Sequence, residues 1–518
     1  MPPQWWNRSC QEAYMLVKGT SKAAGELAIE EYSEYNKPPM QPFGTGIACN
    51  PVGLMKQIRN IHFVGVGGIG MSGIARILTE LGFSVSGSDL NPNGICSRLE
   101  AAGAVVYHGH HPDNINGADL VVRSSAIGDD NCEIVRAVQK GVPVIQRAKM
   151  LGMLMNSQVG IAIAGTHGKT TTSAMIATIL ETAGLDPTCI IGGIVDKFQA
   201  NWKLGYGNYL VAEADESDGS LIELNPHIAV VTNVDDDHLD YYGNKENLKR
   251  TFVHFLDKID PNGWGIVSAD CATIAELRPR ISRPLFTYGI ENKADLNAVN
   301  IVEGNFKTCF DVILHGENLG RVCLTLLGRF NILNALASIA VGLKLDIPFD
   351  VIRRSLEGFR SVKRRFELIA ALQNGIRIYD DYAHHPSEVR ATLDSARNSH
   401  DGRVISVFQP HRYTRTQKIG VNFGSAFKSA DEIIVTDIYS AGEEPIDHVD
   451  AKIIVRAIKK KAPGKVTYIP DVKKVSEYLE GKLKPNDLLI TLGAGDVYKV
   501  AYEVADKLKV SEKEVHRA

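Results

Sequence analysis

Residues 160–180 read GIAIAGTHGKTTTSAMIATIL. A short apolar run, Ile161 to Ala164, breaks at Gly165-Thr166-His167-Gly168-Lys169-Thr170 and passes into a helix-compatible segment. A strand feeding a glycine loop that opens a helix aims backbone N–H groups, and the positive end of the helix dipole, at one spot. Lys169 adds a point charge there, and Thr170 a hydroxyl suited to Mg²⁺. The spacing is not G-x-x-x-x-G-K-[ST], because Ile163 stands where that pattern needs its first glycine. The loop is tighter, and the Thr170-Thr171-Thr172 run carries it into the helix. It reads as a trap for a nucleoside triphosphate within an α/β fold.

Working outward, strand–helix alternation recurs along the chain and predicts three α/β domains with largely parallel sheets. In the first, the strand Ile61–Val66 leads into Gly67-Gly68-Ile69-Gly70 and a helix-like MSGIARILTELG, and the next strand closes on Asp89. Gly65-Val66-Gly67-Gly68-Ile69-Gly70 is a formal dinucleotide fingerprint, with Asp89 placed for a ribose hydroxyl. The physics selects a pyrophosphate-like group there and does not choose between NAD and a nucleotide-sugar. The second domain carries the triphosphate loop, strands at Tyr209–Glu213 and Ile228–Asn233, and the small-residue helix Ala335–Leu343. The third has strands at Ile376–Asp380, Val404–Phe408, Glu432–Thr436 and Leu488–Leu492. The boundaries expected are 56–147, 148–362 and 363–518, with 1–55 a poorly ordered extension. In each domain the site belongs at the carboxyl ends of the strands.

Composition narrows the class. At 518 residues the chain exceeds one ordinary core. A net charge of −3 lacks the basic bias of a nucleic-acid binder. No apolar run approaches the ~18 residues of a membrane span, so no membrane insertion is expected. The eight cysteines are scattered without a C-x-x-C pair, which predicts reduced thiols and a cytoplasmic setting.

Two acidic clusters follow strands of the second domain. In Glu213-Ala214-Asp215-Glu216-Ser217-Asp218 one or two carboxylates suit Mg²⁺, and most of the cluster is expected on solvated surface or capping the loop. Asn233 to Asp240 brings His238, either a metal ligand or a hydrogen-bonded turn residue. In the third domain, Asp381-Tyr382-Ala383-His384-His385 and His411-Arg412-Tyr413-Thr414-Arg415 each follow a strand and would share one rim. Arginine forks there suit a substrate carboxylate.

Five separated stretches together resemble the ATP-dependent Mur ligases: HFVGVGGIGMSGIA, GTHGKTTT, AEADESDGS with NVDDDHLD, GRFNILNALASIA, and DDYAHHPSEV with QPHRYTRT. The resemblance covers nearly all the chain beyond the extension and is nearest the alanine-adding branch. It implies ATP-dependent ligation of L-alanine to UDP-N-acetylmuramate through an acyl phosphate, in peptidoglycan precursor synthesis, by a monomer or dimer with two Mg²⁺ ions. It turns the first glycine loop into a UDP-sugar site built on Gly67, Gly68, Gly70 and Asp89. It puts ATP on Gly165, Thr166, His167, Gly168, Lys169, Thr170 and Thr171, with Asn331 at the adenine and Asp381 on the closing face. It makes Thr170, Glu213 and His238 metal ligands, and Tyr382, His384 and Arg415 amino-acid contacts. Lys169, His384 and Arg365 are the expected catalytic groups. Phe330 and Ala383 depart from the commonest family pattern without removing a ligand. Three alternatives stand beside it: a recycling ligase that attaches a tripeptide to the same nucleotide-sugar, which the tyrosine at 382 disfavours, an NAD-dependent oxidoreductase, and a non-catalytic nucleotide-binding module, against which Lys169, Thr170, Glu213 and His238 argue.

Overall fold

The computed structural model describes residues 58–235, 238–304 and 306–515, so the extension expected over 1–55 lies outside it. The described chain divides into two compact units. One runs to Val159 and takes in Trp202–Asn208; the other comprises Gly160–Asn201 and everything from Tyr209.

The first unit holds a five-stranded parallel sheet: β1 (Asn60–Val64), β2 (Ser84–Asp89), β3 (Val105–His108), β4 (Leu120–Arg123) and β5 (Val144–Gln146), in the order β3-β2-β1-β4-β5. The order reverses at β1, so the glycine loop between β1 and helix α1 (Ile69–Glu80) sits at the switch point of the sheet. Helix α2 (Arg147–Met155) packs on α1, β4 and β5 of the same unit.

The second unit carries two sheets. The ten strands of the first are β6 (Val159–Ala164), β7 (Thr188–Val195), β8 (Ala200–Lys203), β9 (Tyr209–Glu213), β10 (Ile228–Val231), β11 (Trp264–Ser268), β12 (Leu285–Gly289), β13 (Leu296–Gly304), β14 (Lys307–Leu314) and β15 (Glu317–Leu324). Their order is β15-β14-β13-β12-β11-β10-β6-β9-β7-β8. β13, β14 and β15 form an antiparallel meander, which the strand–helix reading of the sequence does not contain. Helix α3 (Lys169–Thr182) lies on this sheet with every residue from Thr170 to Leu180 buried, and α4 (Arg329–Lys344) packs beside it. A helix covered on all sides needs no polar stripe.

The other sheet has six strands: β16 (Glu367–Ala371), β17 (Arg377–Asp381), β18 (Val404–Phe408), β19 (Glu432–Val435), β20 (Val466–Tyr468) and β21 (Leu488–Leu492), ordered β16-β17-β21-β18-β19-β20. All neighbours are parallel except β16 with β17. Its central strands β18 and β21 read as nearly unbroken apolar runs because both faces are covered. Val404 and Phe408 pack into one core layer, Ile405 and Val407 into the other. Helix α5 (Pro386–Asn398) lies over one face. Helix α6 (Lys452–Lys461) ends in three exposed lysines, a solvated last turn.

One expectation fails. Cys309 and Cys323 face each other across β14 and β15 and are joined as a disulfide, so the thiols are not all reduced. Cys96, Cys132, Cys189 and Cys271 are not in disulfides.

Candidate functional site

The short glycine spacing has a steric origin. Gly165 has φ +132°, and a Cβ there would come within 2.1 Å of the Thr232 hydroxyl. Gly168, at φ +84°, caps α3, and its Cβ would meet the Asn334 Oδ1 at 2.4 Å. The loop is also stitched to the strand beside it. The N–H groups of Thr166 and His167 donate to the Asn233 carbonyl (3.1 Å) and its Oδ1 (2.9 Å). The His167 carbonyl accepts from Asn233 Nδ2 (3.0 Å) and Thr232 Oγ1 (2.6 Å). The N–H groups of the first turn of α3 have no intrahelical partner and converge at the carboxyl end of β6.

Lys169 folds back under this loop. Its Nζ donates to the Gly165 carbonyl (2.6 Å) and to both oxygens of Glu216 (2.8 and 2.6 Å). Burial opposes its charge, but Glu216 outweighs that and holds the ammonium above its usual range. Thr170 donates its hydroxyl to Glu213 Oε2 (3.2 Å), while Ser173 (3.3 Å) and the Gly192 N–H (2.6 Å) orient Oε1. His238, at φ +56°, brings Nε2 to 3.8 Å from Glu216 Oε1. Of the expected solvated or loop-capping acids, Asp215 and Asp218 cap the loop, accepting the Ser217 and Ser220 N–H groups at 3.0 Å each, while Glu213 and Glu216 turn inward. None of Glu213, Asp215, Glu216 and Asp218 is exposed, and Glu216 is 2% accessible. A half-buried ammonium demands a carboxylate, and Glu216 meets that demand.

The six-stranded sheet supplies the facing wall. Asp381 ends β17, where its carboxylate accepts the N–H groups of Phe366 (2.7 Å) and Ala383 (2.8 Å). Burial pushes its carboxyl up to about 6, against the pull of Arg365. Arg365 lies over the Tyr382 ring, its Cζ 4.9 Å from the centroid. His384 Nδ1 donates to the Tyr382 carbonyl (3.0 Å), which leaves Nε2 as the basic nitrogen. Burial lowers the His384 imidazole below its ordinary value. Burial, with His384 and Arg415 close by, brings His411 down to about 4. Its Nδ1 accepts from Arg415 (3.3 Å), and its ring stacks on Tyr439.

The two walls are joined through His167. Its Nδ1 is 3.1 Å from Glu388 Oε1, and its Nε2 is 3.3 Å from Asp235 Oδ2. Burial alone would depress this imidazole, but the two carboxylates lift it to about 9. The other Glu388 oxygen caps α5, accepting from the N–H groups of His384 (3.0 Å) and His385 (3.1 Å). Between the walls lies a cavity of about 470 Å³. Its lining includes His167, Gly168, Thr170, Thr171, Asn331, Arg365 and Asp381 from the expected residues. Gly165, Thr166, Lys169, Glu213, His238, Tyr382, His384 and Arg415 are not part of that lining. Asn331 is 3% accessible, and its Nδ2 donates to the Leu327 carbonyl (2.8 Å).

Sequence reasoning did not single out Asn233, Asn334, Glu216 or Glu388. Only Glu388 carries a local signal, the capping-box spacing His385-Pro386-Ser387-Glu388 at a helix start.

In the first unit, Asp89 Oδ2 accepts the Gly67 N–H (2.8 Å) and Oδ1 the Asn91 N–H (3.0 Å), so this carboxylate ties down the glycine loop. A Cβ on Gly67 would stand 2.8 Å from the same Oδ2, and one on Gly70 3.3 Å from the Arg147 side chain. Gly68 caps α1 in extended conformation.

Three family models match in series: "Mur ligase family, catalytic domain" over residues 60–159, "Mur ligase middle domain" over 163–342, and "Mur ligase, glutamate ligase domain" over 364–495. The chain belongs to the Mur ligase family. The oxidoreductase reading of the Gly65–Gly70 loop is set aside by that membership. This Mur ligase is 47% identical over 460 residues to the UDP-N-acetylmuramate–L-alanine ligase of Pelotomaculum thermopropionicum, covering 89% of this chain and 100% of the relative. The enzyme of the same name from Geobacter sulfurreducens is 45% identical over 455 residues, with 88% and 98% covered. Among solved structures, the UDP-N-acetylmuramate–alanine ligase of Thermotoga maritima superposes with a TM-score of 0.75 at 29% identity, covering 87% of this chain and 99% of that one. A murein peptide ligase from Psychrobacter arcticus gives 0.64 at 25% identity, covering 87% and 98%. No helix among the described residues is long and apolar enough to cross a membrane.

Proposed function

We propose that this Mur ligase joins L-alanine to the carboxylate of UDP-N-acetylmuramate, with ATP cleaved to ADP and phosphate, in the cytoplasm during peptidoglycan precursor synthesis. The observation that carries the reading is a glycine loop that lines a cavity faced by a second sheet and has a half-buried lysine folded under it, in a chain 47% identical to ligases named for this reaction. Within it, residues 56–147 take the uridine nucleotide, 148–362 take ATP and 363–518 close over nucleotide and amino acid.

Lys169 and the first-turn N–H groups of α3 neutralise the triphosphate while the substrate carboxylate attacks the γ-phosphorus in line. The resulting acyl phosphate makes the carboxyl carbon electrophilic, and the neutral amine of alanine then displaces phosphate. The Thr170 hydroxyl and Glu213 carboxylate, 3.2 Å apart, are oxygen donors of the kind Mg²⁺ takes, with His238 the residue offered to a second ion. Mg²⁺ bound there supplies charge neutralisation at the phosphates. His384, kept neutral by burial, holds Nε2 ready to accept the amine proton, and Arg365 and Arg415 orient carboxylates on the same rim. An acyl phosphate exposed to water hydrolyses, so a covered cavity serves the chemistry.

Phosphate release with UDP-N-acetylmuramate, measured against L-alanine, glycine, L-serine and a free tripeptide that begins with L-alanine, tests the reading. Turnover is expected with L-alanine and not with the tripeptide; the reverse pattern overturns it.

A further inference from the structure

We propose that a groove on the six-stranded sheet's flank is a second phosphate-binding site, separate from the ATP loop. It encloses about 750 Å³ between α5, the 3-10 segment Gly420–Ser425 and α6. Arg390, Arg456, Lys460 and Lys461 line it, and no aspartate or glutamate does. Among the described residues Arg456, Lys460 and Lys461 form no ion pair, and Arg390 reaches only the Ser425 hydroxyl, at 3.1 Å.

Helix electrostatics account for part of this arrangement and not the rest. Lys460 and Lys461 stand in the last turn of α6, where the dipole favours cations. Arg456 lies a turn earlier. Arg390 is the fifth residue of α5, near the end whose dipole disfavours a cation. Four like charges around one concavity raise the local potential, and a multivalent anion relieves it. The remaining polar groups are His385, Ser387, Ser425 and Asn422, of which the two serines and the asparagine can donate hydrogen bonds to phosphate oxygens. Val421, Ile453 and Ala457 add apolar wall for the organic part that carries the phosphate. A phosphomonoester or diphosphate is the chemistry that fits, offered by a soluble compound or by a lipid headgroup. Ser387 lines both this groove and the ATP-side cavity, so an occupant would sit against the helix that presents Glu388 to His167.

The test uses the full chain and two probes. Inorganic pyrophosphate is titrated calorimetrically, without Mg²⁺, into Lys169→Ala, which weakens the ATP loop, and into the same variant carrying Arg456→Ala and Lys460→Ala. In parallel, co-sedimentation compares phosphatidylglycerol vesicles with pure phosphatidylcholine vesicles. Arg456→Ala/Lys460→Ala in the otherwise native chain should keep its ligase turnover and melting temperature, showing that the fold is intact. Pyrophosphate binding weakened at least about tenfold by the double substitution supports the site with a soluble source. Sedimentation with phosphatidylglycerol alone, lost in the double variant, supports it with a lipid source. Binding of neither probe, or binding that the double substitution leaves unchanged, overturns the proposal.

Discussion

Lys169 and His167 stand two residues apart on one loop, and each is half-buried against a carboxylate contributed by another segment. Lys169 is held by Glu216 and the Gly165 carbonyl, close to where the α3 dipole favours an anion. Lys169→Ala is expected to cut ATP-dependent ligation by ~10³ or more, while calorimetry still shows UDP-N-acetylmuramate binding. Turnover near the native rate would remove the lysine from the mechanism. His167 makes a different, pH-dependent contribution. Its folded pKa, about 9, lies above the ordinary value of 6.5, so the stabilisation is fully present below about pH 6.5 and lost as pH rises through 9. Glu388→Gln should lower the melting temperature most below pH 6.5, and the gap to the native chain should close above pH 9. A gap that does not change with pH would show that the pair does not carry that stabilisation.

At the scale of elements, the two glycine loops are the parts most legible in the sequence. Their glycines answer local demands: a left-handed φ at Gly168 and a close approach to Asp89 at Gly67. Gly168→Ala adds strain and a collision with Asn334, with a cost of about 1–3 kcal/mol. Chemical denaturation should read that loss, together with a raised KM for ATP and an unchanged affinity for the nucleotide-sugar. The parallel strands were legible for a related reason, since strands such as Val404–Phe408 are covered on both faces and read as nearly unbroken apolar runs. The β13–β15 meander was not. It is half-exposed, with polar residues interleaved and bulges at Val299/Val302 and Val312/Ile313, so its alternation is broken. The Cys309–Cys323 bond belongs to this missed element, because only strand register puts the two cysteines opposite each other.

At the scale of the second unit, several contacts bind the six-stranded sheet to the ten-stranded one, among them the Asn398–Glu303 hydrogen bond at 3.2 Å. Two more are the His167–Glu388 pair and Phe306, at the turn after β13. Phe306 stacks on Tyr379, with its ring centroid 6.2 Å away, and lies under the Arg377 guanidinium at 3.8 Å. Phe306→Ala removes apolar and cation–π contact from a half-buried site, and should cost about 1–3 kcal/mol in thermal unfolding. Combined with Glu388→Gln, it should raise the KM for ATP more than either change alone if both hold the same closure. Strict additivity would show that the two contacts act separately.

The sequence by itself determined where the two glycine loops lie, which segments are parallel strands, and that the chain is a ligase of this family. Glycine spacing, apolar runs and helix starts are local properties, set within a few residues. The tertiary structure alone decided which charges meet. Glu216 rather than a neighbouring acid takes Lys169, Asp89 turns inward to hold its own loop, and Glu388 reaches His167 across 221 residues of chain. A buried ion pair forms only where two desolvated groups are brought into register, and that register is a property of packed sheets.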